Sequence, residues 1–521
     1  MYKIVSVVKK PGIQFLSLTL LALIIHAIVL KFIFPGYYSP LYPHHSDFYI
    51  SVALAHSPGV FFQYRYLGHS RPIGILVLKI IGFWGLHGAI LFTVINVAVN
   101  SALSATLARR ILKVEYNRHF VLMFCIYCYL LFSQSYFYTF YTQDVLSHLS
   151  FFFLIAGASC CYQFHERFKI LAYSTLFCCS VIAFLCKETY ALSALVFALL
   201  WFLYYKGRSS AKALTPIVTI AAALILVGVI DLLIKSIFIN FASTPKDPYY
   251  INLRPASVLK EIYLYATEGL NPLEWGMVAT CGLLIAFYFR RGDKKDRYLL
   301  WGCLLAAFFS WVPNSLIPNH HHGGYSFNGA YLLYLPVIFI PILLWRQKVF
   351  IRSLVVTLSI AALISPLFSQ KEYARQWWIL EQETSQRNIL HALDTLMGGL
   401  RPGKIQQSIL ITGLTMPFYP FHHPLALKDY PNAGSATYDV VNYSLTGVSE
   451  REDLVKFIKP ADVRFGQYSD VWMFAGDGRL IGRLAVDSAR VRTITDNNCL
   501  NSIIYPDSTK NQELLSLLKS N

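Results

Sequence analysis

The sequence predicts an all-α polytopic membrane bundle over residues 1–370, with about eleven transmembrane helices and one partial or re-entrant helix. A small α/β domain over 371–521 follows it. Three observations carry this reading. The chain is 55% hydrophobic and only 14% charged, where soluble domains carry about 25% charged residues. Apolar runs of crossing length alternate with short basic segments. After Gln370 the apolar runs shorten to strand length, and turn signals such as Arg401-Pro402-Gly403 and Gly476-Asp477-Gly478 appear.

The net charge of +17 does not point to nucleic acid, because the basic residues sit in short loops between apolar runs, as the positive-inside rule requires. The cysteines, Cys499 apart, lie in or beside apolar runs and read as small buried hydrophobes, so no disulfide framework is expected.

Residues 1–12 carry Lys3, Lys9 and Lys10 and start inside; Ile13 to Phe34 is an uncleaved first crossing. The loop 35–71 is then outside. The apolar stretch 73–108 is too long for one straight span, and Gly82, Gly85 and Gly88 break it. Arg109, Arg110, Lys113 and Arg118 follow and belong inside, so the stretch crosses once: 73–86 is a partial or re-entrant helix and 88–108 the crossing. Further crossings are read at 120–137, 145–161, 170–186, 190–205, 214–238, 273–289, 298–312, 330–345 and 353–368. The basic loops place the N-terminus in the cytoplasm and the C-terminal domain, for a bacterial inner membrane, in the periplasm. Within that domain, 408–414 and 471–476 read as strands and 384–397 as a helix.

The unusual polar residues gather in the outer loops. Tyr42 to Pro72 holds Asp47, four histidines and Arg71. Asp47 is a candidate general base, although a solvated loop acid looks the same in sequence. Asp144 opens the run that begins near 145 and shares a helix face with His148; a catalytic acid and a helix cap fit it equally. Lys187 and Glu188 sit between two apolar runs, and ionisable residues at membrane depth are costly enough to be functional candidates. The outer segment around His321, His322 and Tyr325 offers ligands or donors for a phosphate or a divalent cation, the one candidate cofactor. Arg254, in the loop 241–272, is a further phosphate partner.

Three of these segments, in this order, resemble the GT-C class of membrane glycosyltransferases, which use polyprenyl-phosphate-linked sugars. Residues 71–112 are similar to the stretch after the first outer loop in that class, with its arginine-proline start, partial helix, break and crossing. Residues 184–205, with Lys187-Glu188, look like the lysine-glutamate turn between two spans. YLLYLPVIF at 331–339 is similar to the tyrosine-leucine-proline span of protein O-mannosyltransferases. The resemblance covers roughly residues 10–370. Two features differ: only one acid, Asp47, stands in the first outer loop, and Thr142-Gln143 precede Asp144 where the class has an arginine.

The resemblance implies an inverting transfer of one sugar from a polyprenyl-phosphate donor to a surface glycan, such as lipopolysaccharide O-antigen, or to a protein acceptor. Asp47 and Asp144 are the implied catalytic carboxylates. Arg71, Lys187, Glu188, Arg254, His321, His322 and Tyr325 are the implied substrate contacts. The rival readings are an O-antigen polymerase or ligase and a lipid-linked-glycan flippase or transporter; no internal repeat of the transporter kind is visible. Asp47→Asn is expected to abolish sugar transfer while the protein stays in the membrane. Full transfer by that variant in a radiolabel assay would remove Asp47 as the base.

Overall fold

The first helix, α1 (Pro11–Ile33), shows on one element what the composition demands of the chain. Leu16, Leu20, Ile24 and Ile28, four residues apart, are exposed, while Leu18, Ala22, His26 and Leu30 are buried. A helix that turns a continuous apolar stripe outward has oil, not water, as its outer solvent. The structure, a computed structural model, describes residues 11–33, 72–132, 145–205, 210–238, 252–288, 294–318, 328–345, 349–375, 377–400, 407–414, 427, 432–443, 454–497, 499–506 and 512–519. Contacts divide the chain into two units, with the change at Tyr373/Ala374.

The helical unit continues with α2 (Pro72–Phe83), α3 (Gly85–Ile111), α4 (Arg118–Leu130), α5 (Val145–Phe164) and α6 (Lys169–Cys186). A 3-10 turn at Glu188–Tyr190 leads to α7 (Ala191–Tyr205) and α8 (Ser210–Phe238). Then come α9 (Pro255–Gly269), α10 (Pro272–Tyr288), α11 (Lys294–Phe309), the short α12 (Val312–Ser315), α13 (Ala330–Leu344) and α14 (Val349–Arg375). The break inside the 73–108 stretch falls at Trp84, followed by Gly85 in the left-handed region at φ +66. Only glycine takes that conformation without strain.

Helices of full crossing length are fewer than the expected eleven among the described residues. Among the described residues, four helices are long and apolar enough to cross a membrane by length and composition, or five if a bent pair counts as one span. That pair is α9 and α10, bent by 111° at Leu270-Asn271. Six further apolar stretches run 10–17 residues, two of them, Leu214–Ile230 and Arg352–Phe368, lying inside the longer α8 and α14. Part of the difference is geometric. The 13 residues of α4 rise about 20 Å, short of the ~30 Å hydrocarbon layer, although the apolar run was read from 120 to 137. The loop 241–272 also holds a helix, α9, that the sequence reading left out.

The second unit begins with α15 (Trp377–Gly398) and builds a mixed sheet of β1 (Gln407–Thr412), β2 (Ala436–Val441), β3 (Val455–Ile458), β4 (Asp470–Phe474) and β5 (Leu480–Ala485). The order is β3-β2-β1-β4-β5, parallel except for β5, which runs antiparallel to β4. The interior strand β4 is buried at every residue, the pattern of a strand covered on both faces. Leu410, Val471, Met473 and Leu484 pack with Ile494, Ile503 and Leu514 from α16 (Ser488–Asp496), α17 (Leu500–Ile504) and α18 (Gln512–Lys519). At the end of β1, Gly413 has φ +83, and a Cβ there would overlap the Phe474 carbonyl.

Asp470 on β4 is buried and accepts from Arg483 Nε on β5 at 2.7 Å, with a second contact from the same guanidinium. Burial pushes the Asp470 carboxyl above its ordinary range, against the lowering pull of Arg483. A raised folded-state pKa means the folded chain holds its proton to higher pH than the unfolded one. Stability from this group therefore falls as pH rises out of the carboxylate range, and at neutral pH the charge is a net cost. Asp470→Asn is accordingly expected to leave the thermal midpoint at pH 7 unchanged or higher. Arg483→Met, which strands a buried carboxylate, should cost up to ~3 kcal/mol, the low end for a buried pair because the arginine is partly solvated. Calorimetry at pH 7 on both variants checks the opposite signs.

Candidate functional site

Helix α6 ends where Lys187 leaves the helical region, at φ −165 and ψ 133. Its N–H still donates to Ala183 O at 3.0 Å, and its carbonyl accepts from Ser150 Oγ of α5 at 2.8 Å. The side chain is only 5% exposed. A lysine this deep in an apolar bundle carries a charge that polar or anionic surroundings must offset. The next turn brings Thr189 and Tyr190, both buried, before α7 starts.

Around this turn the bundle places most of its polar interior. His148, one turn into α5, is fully buried. Its carbonyl accepts from Asn100 Nδ2 of α3 at 2.8 Å, and its Nδ1 lies 2.9 Å from the Tyr331 hydroxyl of α13. Tyr127 of α4 donates to the Tyr331 carbonyl at 2.8 Å. Phe151 joins the two halves, stacked on Tyr331 at 4.6 Å and 5.0 Å from Tyr190. Three residues before Tyr331, the Asn328 amide is fully buried with no hydrogen-bond partner among the described residues.

A second polar centre was not anticipated from sequence. At the 111° bend, Asn271 caps α10: its Oδ1 accepts from Glu274 N at 3.0 Å, and Glu274 Oε2 accepts from Asn271 N at 2.8 Å. This is a reciprocal capping box with Pro272 at the first helical position. The Asn-Pro-x-Glu spacing was legible, but it was passed over inside an apolar run. Glu274 is fully buried, and its Oε1 also accepts from Tyr334 at 2.7 Å and Ser365 at 3.1 Å. Tyr334 is the tyrosine of the tyrosine-leucine-proline segment, so that segment ties α13 to α10 and α14.

Beside the first cluster runs a cavity of about 270 Å³. Its wall is formed by α3, α5, α6, α7, α8, α11 and α13, from Phe151 and Tyr190 to Tyr162, Trp201, Tyr298 and Lys295. The wall is apolar almost throughout.

Of the residues singled out in the sequence, Lys187 is buried and joined to α5 through its carbonyl. Glu188 opens the 3-10 turn after it; its side chain lies outside the described residues. Arg254 precedes α9 and is exposed, its N–H donating to Asn252 Oδ1 at 3.0 Å. Asn252 N in turn donates to Leu316 O at 2.7 Å, tying this segment to the end of α12. Asp47, Arg71, Asp144, His321, His322 and Tyr325 lie outside the described residues. Among the described residues no three His, Cys, Asp or Glu side chains converge as metal ligands.

The C-terminal sheet offers a second place to look. Its order reverses between β1 and β4, the switch point at which open α/β sheets take ligands. Here the chain fills that crevice itself: the Tyr443 hydroxyl accepts from Gly413 N at 2.8 Å and donates to the Ile504 carbonyl. The polar cluster in the helical unit is the better candidate.

No protein-family model matches this sequence, and no curated protein matches it. The Glu274 centre makes a prediction of its own. Glu274→Leu leaves three donors without their acceptor and should destabilise the helical unit by ~3 kcal/mol or more. Glu274→Gln, which keeps an acceptor oxygen, should lose less than half of that. Thermal unfolding in detergent orders the two, and an equal loss would mean that shape, not hydrogen bonding, is what Glu274 supplies.

Proposed function

We propose that the chain is a multi-pass membrane glycosyltransferase of the GT-C type, with about eleven crossings and one partial helix. It moves one sugar from a polyprenyl-phosphate donor to a surface glycan or a protein. The observation that carries this reading is Lys187: a lysine buried at the end of α6, its carbonyl held by Ser150 of α5, the helix whose His148 and Phe151 meet Tyr331. A lipid-linked phosphate has its tail in the bilayer and its charge where helices meet loops. A lysine held at a helix end within the bundle is suited to it. Support also comes from where the three resembling segments fall. The first covers α2, the break and α3; the second is the Lys187 turn; the third is α13, whose Tyr331 meets the aromatic ring set of that turn.

In the proposed reaction, the acceptor hydroxyl gives its proton to a carboxylate, Asp47 as first choice and Asp144 as second. The oxygen attacks the anomeric carbon as the bond from that carbon to the phosphate oxygen breaks. The polyprenyl phosphate leaves with the electron pair, and its growing charge faces Lys187, Arg71 and Arg254. His321, His322 and Tyr325 contact donor or acceptor, or hold a divalent cation if one takes part. One displacement inverts the anomeric centre. The chain would lie in a bacterial inner membrane, N-terminus in the cytoplasm and C-terminal domain in the periplasm.

The test is transfer of radiolabelled sugar from a polyprenyl-phosphate donor in vesicles holding the full chain. Lys187→Met should lower the rate on the order of a hundredfold, the loss seen when one charge-stabilising donor is removed, with the protein still in the membrane. Unimpaired transfer by that variant removes the phosphate role. Movement of the lipid-linked sugar across the vesicle membrane without transfer would make the chain a transporter instead.

A further inference from the structure

The apolar cavity is not needed by the transfer reaction, and its shape and ends point to an occupant of its own. Along α5 it extends from Phe151 to Tyr162, eleven residues apart, about 16 Å at the helical rise. That is roughly half of the ~30 Å hydrocarbon layer, the depth of one leaflet. Leu154, Ile155, Ala158, Phe197, Ala198 and Ile220 make it a dry slot between helices.

The two ends differ in chemistry. One is walled by Phe151 and Tyr190. The other is ringed by Tyr162, Trp201 and Tyr298 with Lys295 among them. Tyrosine and tryptophan collect where acyl chains give way to headgroups. Trp201 is fixed edge-on against Tyr162 at 6.4 Å and His165 at 5.3 Å. The surrounding charge is positive: Lys294, Lys295 and Arg297 open α11 against the single acid Asp296. Arg110 reaches the same end, its carbonyl accepting from the Tyr162 hydroxyl at 3.4 Å and its guanidinium donating to Gln163 at 3.2 Å.

We propose that this cavity holds one acyl chain of an acidic phospholipid, with the phosphate of its headgroup at the Lys295 end. The slot removes a chain from the leaflet at the basic end of the bundle, and the lysine selects its headgroup. The inference does not depend on the transferase reading.

The full chain, purified in mild detergent, would be titrated with dioleoylphosphatidylglycerol and dioleoylphosphatidylcholine and followed by native mass spectrometry. One copy of the acidic lipid should be retained in preference to the neutral one by about fivefold, the factor a single lysine near a lipid headgroup supplies. Lys295→Glu should remove the preference. Ala158→Phe, which fills the slot, should remove retention of both lipids at an unchanged thermal midpoint. Lys187→Met should leave retention as it is. Equal retention of the two lipids, or retention indifferent to Lys295→Glu and Ala158→Phe, overturns the proposal. So does displacement of the phospholipid by a polyprenyl phosphate in a Lys187-dependent way, which would give the cavity to the sugar donor.

Discussion

Helix α13 has no face on the surrounding solvent at the level of its two tyrosines. Every residue from Ala330 to Pro341 is buried, and α3, α4, α10 and α11 pack around it. In such a place a hydroxyl without a partner costs about as much as a hydrogen bond is worth several times over. Tyr331 and Tyr334 are therefore committed: one to His148, the other to Glu274. Those two bonds fix the rotation of α13. They set where Phe151 can stack, and through it where the Tyr190 turn lies.

The polar interior is consequently arranged as two stations on a single helix, one turn apart. The station at Tyr331 has an imidazole, the Asn100 amide bound to the His148 carbonyl, and a stacked phenylalanine. The station at Tyr334 has a carboxylate already surrounded by donors. The second is a structural clamp by its own hydrogen bonding: both Glu274 oxygens are engaged, one by its own capping partner. Three residues before Tyr331, the Asn328 amide has no hydrogen-bond partner among the described residues.

Much of the helical layout was legible because it is local. The run read at 145–161 became Val145–Phe164, and that at 170–186 became Lys169–Cys186, since apolar length and basic flanks both act on neighbours in sequence. The glycine-marked break was placed three residues late, with helix ends read at 86 and 88 where the structure has Phe83 and Gly85. Lys187 stood out in the sequence because a charge between two apolar runs is costly at membrane depth. The number of full-length spans was not legible: an apolar run tells how much chain can enter oil, not how much of it is helix. The partnership of Glu274 with Tyr334 and Ser365 was invisible as well, since its members stand 60 and 91 positions apart. The sheet order β3-β2-β1-β4-β5 is non-local in the same way; strands at 408–414 and 471–476 could be seen, but not that they are neighbours.

The tyrosine-leucine-proline segment has a further consequence for the backbone of α13. Pro336 and Pro341 lie inside the helix and bring no N–H. The carbonyls four residues earlier, on Leu332 and Val337, thus lose their usual intrahelical donors. Leu332 also borders the cavity. The central strut of the bundle is therefore soft at two levels, able to flex between its pinned tyrosine end and its lower half. A bend at Pro336 would move Leu332 and so change the width of the slot it lines.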